Sequence, residues 1–318
     1  MTDALANTAS RLDPRKFRDP FVTAKGEPRA QVALKALETL WFNTGTLCNL
    51  TCQNCYIESS PKNDRLAYLS AAEVAGYLDQ IQALELGTQL IGFTGGEPFM
   101  NRDLPAMLED VLSRGRDAIV LTNAMLPMQH KKRALLALRE RYGDRLTLRV
   151  SLDHYGTAVH ELERGKRSWG PTLAGLRWLA KNGFSINVAS RYLSGESEAA
   201  LRDGFRRLFA ELDVPLDADD PVSLMIFPEM DATFDVPEIT TACWGILHKS
   251  PDSVMCATSR MVVKHKEATA PSVVACTLLP YDPLWDLGPG LTGALGSVPL
   301  NHPHCAKFCV LGGAACSR

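Results

Sequence analysis

Cys48, Cys52 and Cys55 bring three thiols together in the run Cys48-Asn-Leu-Thr-Cys52-Gln-Asn-Cys55-Tyr56. Three thiolates on one loop can hold three irons of a [4Fe-4S] cluster and leave the fourth iron without a protein ligand, which makes that iron reactive. Two other chemistries use the same residues. A zinc knuckle would add a fourth ligand such as His154 or His160, and a thiol-disulfide oxidoreductase would use Cys52-Gln-Asn-Cys55, with Cys48 superfluous and no thioredoxin-like context around it.

The chain holds nine cysteines in 318 residues. A protein of this length has no core deficit that disulfides must repair, so metal or redox chemistry is the leading reading. After the triad no cysteine occurs until Cys243, followed by Cys256, Cys276, Cys305, Cys309 and Cys316, which implies a second metal-binding region. Composition is ordinary for a globular protein, with 46% hydrophobic and 22% charged residues. A net charge of -2 gives no global sign of a nucleic-acid partner. No apolar run approaches the ~20 residues of a membrane span, and residues 1–20 lack the apolar core of a secretory signal, so the expectation is a cytoplasmic protein.

The elements that must carry these residues follow from periodicity. Short apolar runs at 40–43, 90–94, 118–121, 146–151, 186–189 and 222–227 read as six strands, alternating with amphipathic stretches. Ser70 and Glu73 form a capping-box signature ahead of Val74, Tyr77, Leu78, Ile81 and Leu84 at helical spacing. Further helices are expected over 103–113, 131–141, 171–181 and 198–212. Six such units suit an open barrel or a doubly wound sheet, and either gathers functional groups at the strand C-termini. Residues 1–38 read as a lead-in arm, of which 1 to about 29 carry little of the core, 39–236 as the β/α body, and 237–318 as a small cysteine-rich appendage.

The triad, followed by Tyr56, resembles the signature of the radical S-adenosylmethionine (AdoMet) superfamily. Phe93-Thr-Gly95-Gly96-Glu97-Pro98-Phe99, at the end of the second expected strand, is similar to that family's Gly-Gly-Glu-Pro turn. The glycines suit a close approach of backbone to a ligand. The resemblance implies a partial (β/α)6 TIM-like barrel, a [4Fe-4S] cluster on the triad, and AdoMet whose amino group meets the turn of Gly95, Gly96, Glu97 and Pro98. It also implies that Asn123 and Ser151, at the next two strand ends, contact AdoMet, and that Arg191 pairs with its carboxylate.

The stretch Ser151-Leu-Asp153, His160, Arg164-Gly165 and Trp169 resembles members with a C-terminal SPASM or twitch module. Cys256 and Cys276 flank a hairpin pattern at 260–264 and 272–275, with Pro271 where the family usually has glycine. Six cysteines beyond the triad are too few for two fully cysteine-ligated auxiliary clusters. One auxiliary [4Fe-4S] cluster is implied, on Cys256, Cys276, Cys305 and Cys309, with Cys316 and Cys243 as rivals.

By the same resemblance, AdoMet is reductively cleaved to a 5′-deoxyadenosyl radical that abstracts hydrogen from a peptide, protein or small-molecule substrate. The electron would come from a donor such as flavodoxin or ferredoxin. The auxiliary cluster would either accept an electron from the substrate or bind it. About 38 residues ahead of the first strand are short for a leader-peptide-binding domain. Asp217, Asp219, Asp220, Glu229 and Asp231 read as a solvated loop or as lining for the substrate side. The competing reading is a non-catalytic iron-sulfur or zinc protein.

Overall fold

The computed structural model describes residues 11–228 and 231–313. Ten strands occur among them: β1 (Gln31–Val32), β2 (Thr39–Asn43), β3 (Leu90–Thr94), β4 (Asp117–Thr122), β5 (Leu146–Ser151), β6 (Ser185–Arg191), β7 (Leu224–Phe227), β8 (Ser259–Val263), β9 (Ser272–Val274) and β10 (Val298–Pro299). The helices are α1 (Ala71–Ala83), α2 (Leu104–Ser113), α3 (Leu126–Gln129), α4 (Lys132–Tyr142), α5 (Thr157–Arg164), α6 (Trp169–Lys181), α7 (Glu198–Leu212) and α8 (Cys243–Ile246).

One sheet runs in the order β7-β6-β5-β4-β3-β2-β8-β9, and β2 to β7 are six consecutive parallel strands. The ends of the sheet, β7 and β9, do not pair, so the barrel is open. Every residue of β2 is buried, as a strand covered on both faces requires. Helix α1 starts where its capping box places it, with Ser70 Oγ accepting from Glu73 N and Glu73 Oε2 accepting from Ser70 N. Phe42, Phe93, Leu78, Met107 and Leu148 belong to the main core between sheet and helices. Among the described residues, no helix is long and apolar enough to cross a membrane.

Two expectations need correction. The last strand of the body begins at Leu224 rather than at 222, because Asp220 caps a turn there and accepts from the amides of Val222 and Ser223. Residues 157–164, given no element by the sequence, form α5, a short helix ending at Gly165 in a positive-φ conformation. Just after residue 29 the arm enters a second core. Ala30 and Val32 are fully buried in it with Ile239, Trp285 and Phe308, and β1 pairs with β10. Arg29 is buried there against Glu238 at 2.5 Å.

The C-terminal hairpin is present, and its first strand joins the barrel sheet. β8 pairs in parallel with β2, with Thr39 opposite Ser259, and β9 pairs antiparallel with β8.

Candidate active site

The cysteine loop leaves the C-terminal end of β2 and is seated by the turn that leaves β3. Gly96 N donates to Gly45 O at 2.8 Å and Glu97 N to Leu47 O at 3.1 Å. A Cβ on Gly96 would lie 2.2 Å from Leu47 O, and one on Gly95 would lie 2.5 Å from Gly45 O. Gly95 also has φ +133°, a conformation that disfavours other residues. In the structure the backbone that these glycines admit is the one entering Cys48.

Within the loop, thiol sulfurs accept backbone bonds, Cys48 Sγ from Leu50 N at 3.4 Å and Cys55 Sγ from Ser59 N at 3.3 Å. Asn123 Nδ2 donates to Asn49 Oδ1 at 2.9 Å, tying the loop to the end of β4. Tyr281 Oη donates to Ile57 O at 2.8 Å from the C-terminal region. Burial pushes the Cys48 thiol up to about 12 and raises that of Cys52. A redox-active thiol needs the opposite shift.

All three cysteines line one cavity, mainly apolar and partly open to solvent. Its walls are the C-terminal ends of the strands: Thr94, Gly95 and Gly96, then Leu121 to Asn123, Ser151 and Asp153, and Ala189 to Arg191. Tyr56, Phe227, Leu278 and Phe308 supply apolar surface, and Phe227 stacks on Phe308 at 5.4 Å.

A buried charge network closes one side. Asp153 pairs with Arg164 at 2.7 Å and with Arg191 through two bonds of 3.1 Å. Burial alone would raise the Asp153 carboxyl, but the two guanidinium groups outweigh it and hold it down to about 2. Arg191 also meets Glu163, and its Nη1 donates to Asn54 O at 3.2 Å. Glu163 in turn accepts from Asn54 N at 2.9 Å and Asn54 Nδ2 at 2.8 Å.

A second, smaller and apolar cavity is lined by Cys256, Cys276, Cys305 and Cys309. Cys305 and Cys309 lie four residues apart on a π-helical segment, Cys305–Leu311. Burial pushes the Cys256 thiol up to about 11 and raises that of Cys305 further. Leu278 and Phe308 line both cavities. Cys243 does not line this one; its sulfur lies 3.4 Å from both Thr240 N and Thr240 Oγ1. Cys316 lies outside the described residues.

The structure thus brings Cys48, Cys52, Cys55, Tyr56, Gly95, Gly96, Asn123, Ser151 and Arg191 to one cavity. Glu97 and Pro98 do not line it. The Glu97 carboxylate is buried behind the wall, accepting from Thr122 Oγ1 and Asn123 N, each at 2.8 Å, and from Phe99 N at 3.2 Å. Burial pushes it up to about 7 despite those bonds. Arg191, expected to hold a ligand carboxylate, has its guanidinium engaged by Asp153 and Glu163.

His154 bonds Glu196 at 2.8 Å, His160 packs edge-on against Trp169, and neither lines the cysteine cavity. Among the described residues, no three His, Cys, Asp or Glu side chains converge as a site for a single metal ion. Asp219 pairs with Arg206, and Asp217 and Asp220 accept from backbone amides of their own turn, as a solvated loop does. Asp231 likewise accepts from Thr233, and Glu229 lies outside the described residues. Sequence reasoning missed Asn49, Asn54 and Glu163; a buried acid beside Arg164 at the end of a short helix was the available signal.

The donor sets fit the groups that the sequence resemblance implies. Soft thiols from one loop meet a partly polar cavity, which suits an iron-sulfur cluster with a small-molecule ligand. Ser59 Oγ, buried in the wall of that cavity, finds no hydrogen-bond partner among the described residues. Around the second cavity four thiols suffice for a fully ligated cluster, and the buried Trp285 Nε1 of its lining is likewise unpartnered.

Comparison with known proteins agrees. The family model described as the Radical SAM superfamily matches residues 42–206, just over half of the chain. The antilisterial bacteriocin subtilosin biosynthesis protein AlbA of Bacillus subtilis is 29% identical over 143 residues, covering 45% of this chain and 30% of AlbA. A GTP 3′,8-cyclase of Rhodococcus opacus is 34% identical over 185 residues, covering 54% of this chain and 50% of that one. The match therefore spans 28% to 50% of the curated relatives' own length. Among solved structures, Streptococcus suis SuiB bound to S-adenosylmethionine aligns with a TM-score of 0.58 at 12% identity, covering 80% of this chain and 63% of SuiB. The AdoMet-bound anSMEcpe aligns with a TM-score of 0.57 at 14% identity, covering 80% and 79%. These structures share the partial (β/α)6 TIM-like barrel fold. The chain belongs to the radical SAM superfamily.

Proposed function

We propose that this protein is a radical SAM oxidoreductase or maturase acting on a peptide, a protein or a small molecule. The observation that carries the reading is the single cavity in which Cys48, Cys52 and Cys55 face the ends of five parallel strands. When bound, a [4Fe-4S] cluster and AdoMet together supply reductive cleavage of AdoMet to a 5′-deoxyadenosyl radical competent for hydrogen abstraction.

The chain's own residues do the rest. The three thiolates hold the cluster, and the Gly95-Gly96 turn fixes their loop. Asn123 and Ser151 offer polar groups to AdoMet. Arg164, paired with Asp153, lines the same cavity as Cys52 and favours its thiolate against the burial that disfavours it. Tyr56, Phe227 and Phe308 provide an apolar surface that excludes water from the reacting face.

Cys256, Cys276, Cys305 and Cys309 would hold one auxiliary [4Fe-4S] cluster of the SPASM or twitch type. Four available thiols favour full ligation, hence electron acceptance rather than direct substrate binding, and Leu278 and Phe308 form a wall common to both cavities. A peptide substrate is supported by two likenesses: AlbA is named for bacteriocin biosynthesis, and SuiB has been solved with its precursor peptide SuiA. The electron donor is proposed to be a flavodoxin or ferredoxin in the cytoplasm, where the eight described cysteines, none of them in a disulfide, would stay reduced. Dithionite-dependent conversion of AdoMet to 5′-deoxyadenosine tests the reading. Cys52→Ala is expected to abolish it, and a retained full rate overturns the triad assignment.

A further inference from the structure

We infer that Glu163 is a positioning residue for the cluster loop, clamping Cys52 to Cys55 from α5 and fixing the charge beside them. Its side chain is 4% exposed, and both carboxylate oxygens are used. Oε1 accepts from Asn54 N and meets Arg191, while Oε2 accepts from Asn54 Nδ2. The backbone joins in, because Gln53 N donates to Glu163 O at 2.8 Å. Arg191 completes the clamp from β6 by donating to Asn54 O. Both residues between Cys52 and Cys55 are therefore held by one helix end.

The arrangement has an electrostatic side as well as a geometric one. Glu163 and Asp153 oppose two cations, Arg164 and Arg191, in a buried setting where charges are poorly screened. Removing the Glu163 charge leaves the loop more positive, and a more positive surrounding favours the reduced, more negative state of a cluster.

The inference rests on the triad holding a [4Fe-4S] cluster, and two readouts separate it from that reading. In the cluster-free full chain, Glu163→Ala is expected to speed amide exchange at Gln53 and Asn54 by about tenfold or more, whereas Glu163→Gln, which keeps an acceptor for Asn54, restores protection. In the reconstituted enzyme, an EPR-monitored titration of the signal that responds to AdoMet is expected to give Glu163→Gln a more positive midpoint than wild type at equal iron content. Unchanged exchange in Glu163→Ala, or an unchanged midpoint in Glu163→Gln, overturns the clamp. Should Glu163→Ala fail to fold, Asn54→Ala decides, since it removes only the neutral amide and is expected to raise exchange at residues 53–55. A wild-type chain that forms no AdoMet-responsive cluster instead refutes the functional reading, and the exchange data still decide the clamp.

Discussion

Gly96 lies so close to Leu47 that a single added Cβ would stand 2.2 Å from the Leu47 carbonyl oxygen. The turn that leaves β3 is thereby locked to the strand exit that delivers Cys48. Backbone atoms occupy that space, so no side-chain movement can relieve the overlap. Gly96→Ala is expected to destabilise the cluster-free chain by about 1–3 kcal/mol or more through overpacking and to lower iron uptake. Gly76, exposed in α1 with nothing within 4 Å of a built Cβ, supplies the control. Gly76→Ala is expected to be stabilising by roughly 0.5–1 kcal/mol. Thermal unfolding and iron content of both variants check the pair; equal effects at the two glycines contradict the packing argument.

Glu97 links the same turn to the end of β4 and carries a pH dependence of definite sign. Its folded-state value of about 7 lies above the ordinary 4.5, so the folded chain keeps this proton longer than the unfolded one. Stability from this group is complete below about 4.5, falls as pH rises towards about 7, and stays low above that, a loss on the order of 1–3 kcal/mol. Glu97→Gln cannot titrate, although its amide faces one backbone donor and costs stability overall. Urea unfolding of the cluster-free chain at pH 5 and pH 8 is expected to show the wild type losing ground relative to Glu97→Gln at the higher pH. A pH-independent difference contradicts the assignment.

Arg29 and Glu238 join the lead-in to the C-terminal core, with both side chains buried. Glu238 also accepts from Phe17 N and Ala24 N, each at 2.7 Å. Glu238→Ala strands a buried guanidinium, a change expected to cost roughly 3–5 kcal/mol. Denaturant titration measures it. A loss below about 1 kcal/mol, the level of exposed ion pairs, would mean that residues 17–32 contribute little to this core.

Cys276 lines the second cavity with three other cysteines. Cys276→Ala is expected to remove about four irons per chain while part of the AdoMet cleavage survives, because the triad is untouched. Iron analysis beside a cleavage assay checks this. Full iron retention contradicts the ligand set.

The sequence made local features readable and left distant pairings hidden. Ser70 and Glu73 are three residues apart, and the capping box forms as their types require. The cysteine spacing and the Gly-Gly-Glu-Pro turn likewise identify one loop and one turn without tertiary information. Arg191 shows where this stops: its partners Asp153 and Glu163 come from a different strand end and helix, and only the fold shows its donors engaged. The pairing of β8 with β2 is equally hidden, since Thr39 and Ser259 meet across most of the chain. Helix α5 escaped notice because the run from Thr157 to Arg164 is short and polar, with only His160 and Glu163 buried. Glu97 was read as part of a ligand turn, yet its buried carboxylate faces Thr122 and Asn123 rather than the cavity.

The most direct test is anaerobic reconstitution of the full chain with iron and sulfide, counting iron and then assaying dithionite-dependent formation of 5′-deoxyadenosine. The account predicts about eight irons per chain with AdoMet cleavage, matching one cluster on the triad and one on the C-terminal cysteines. Tightly bound zinc with no cleavage would contradict it.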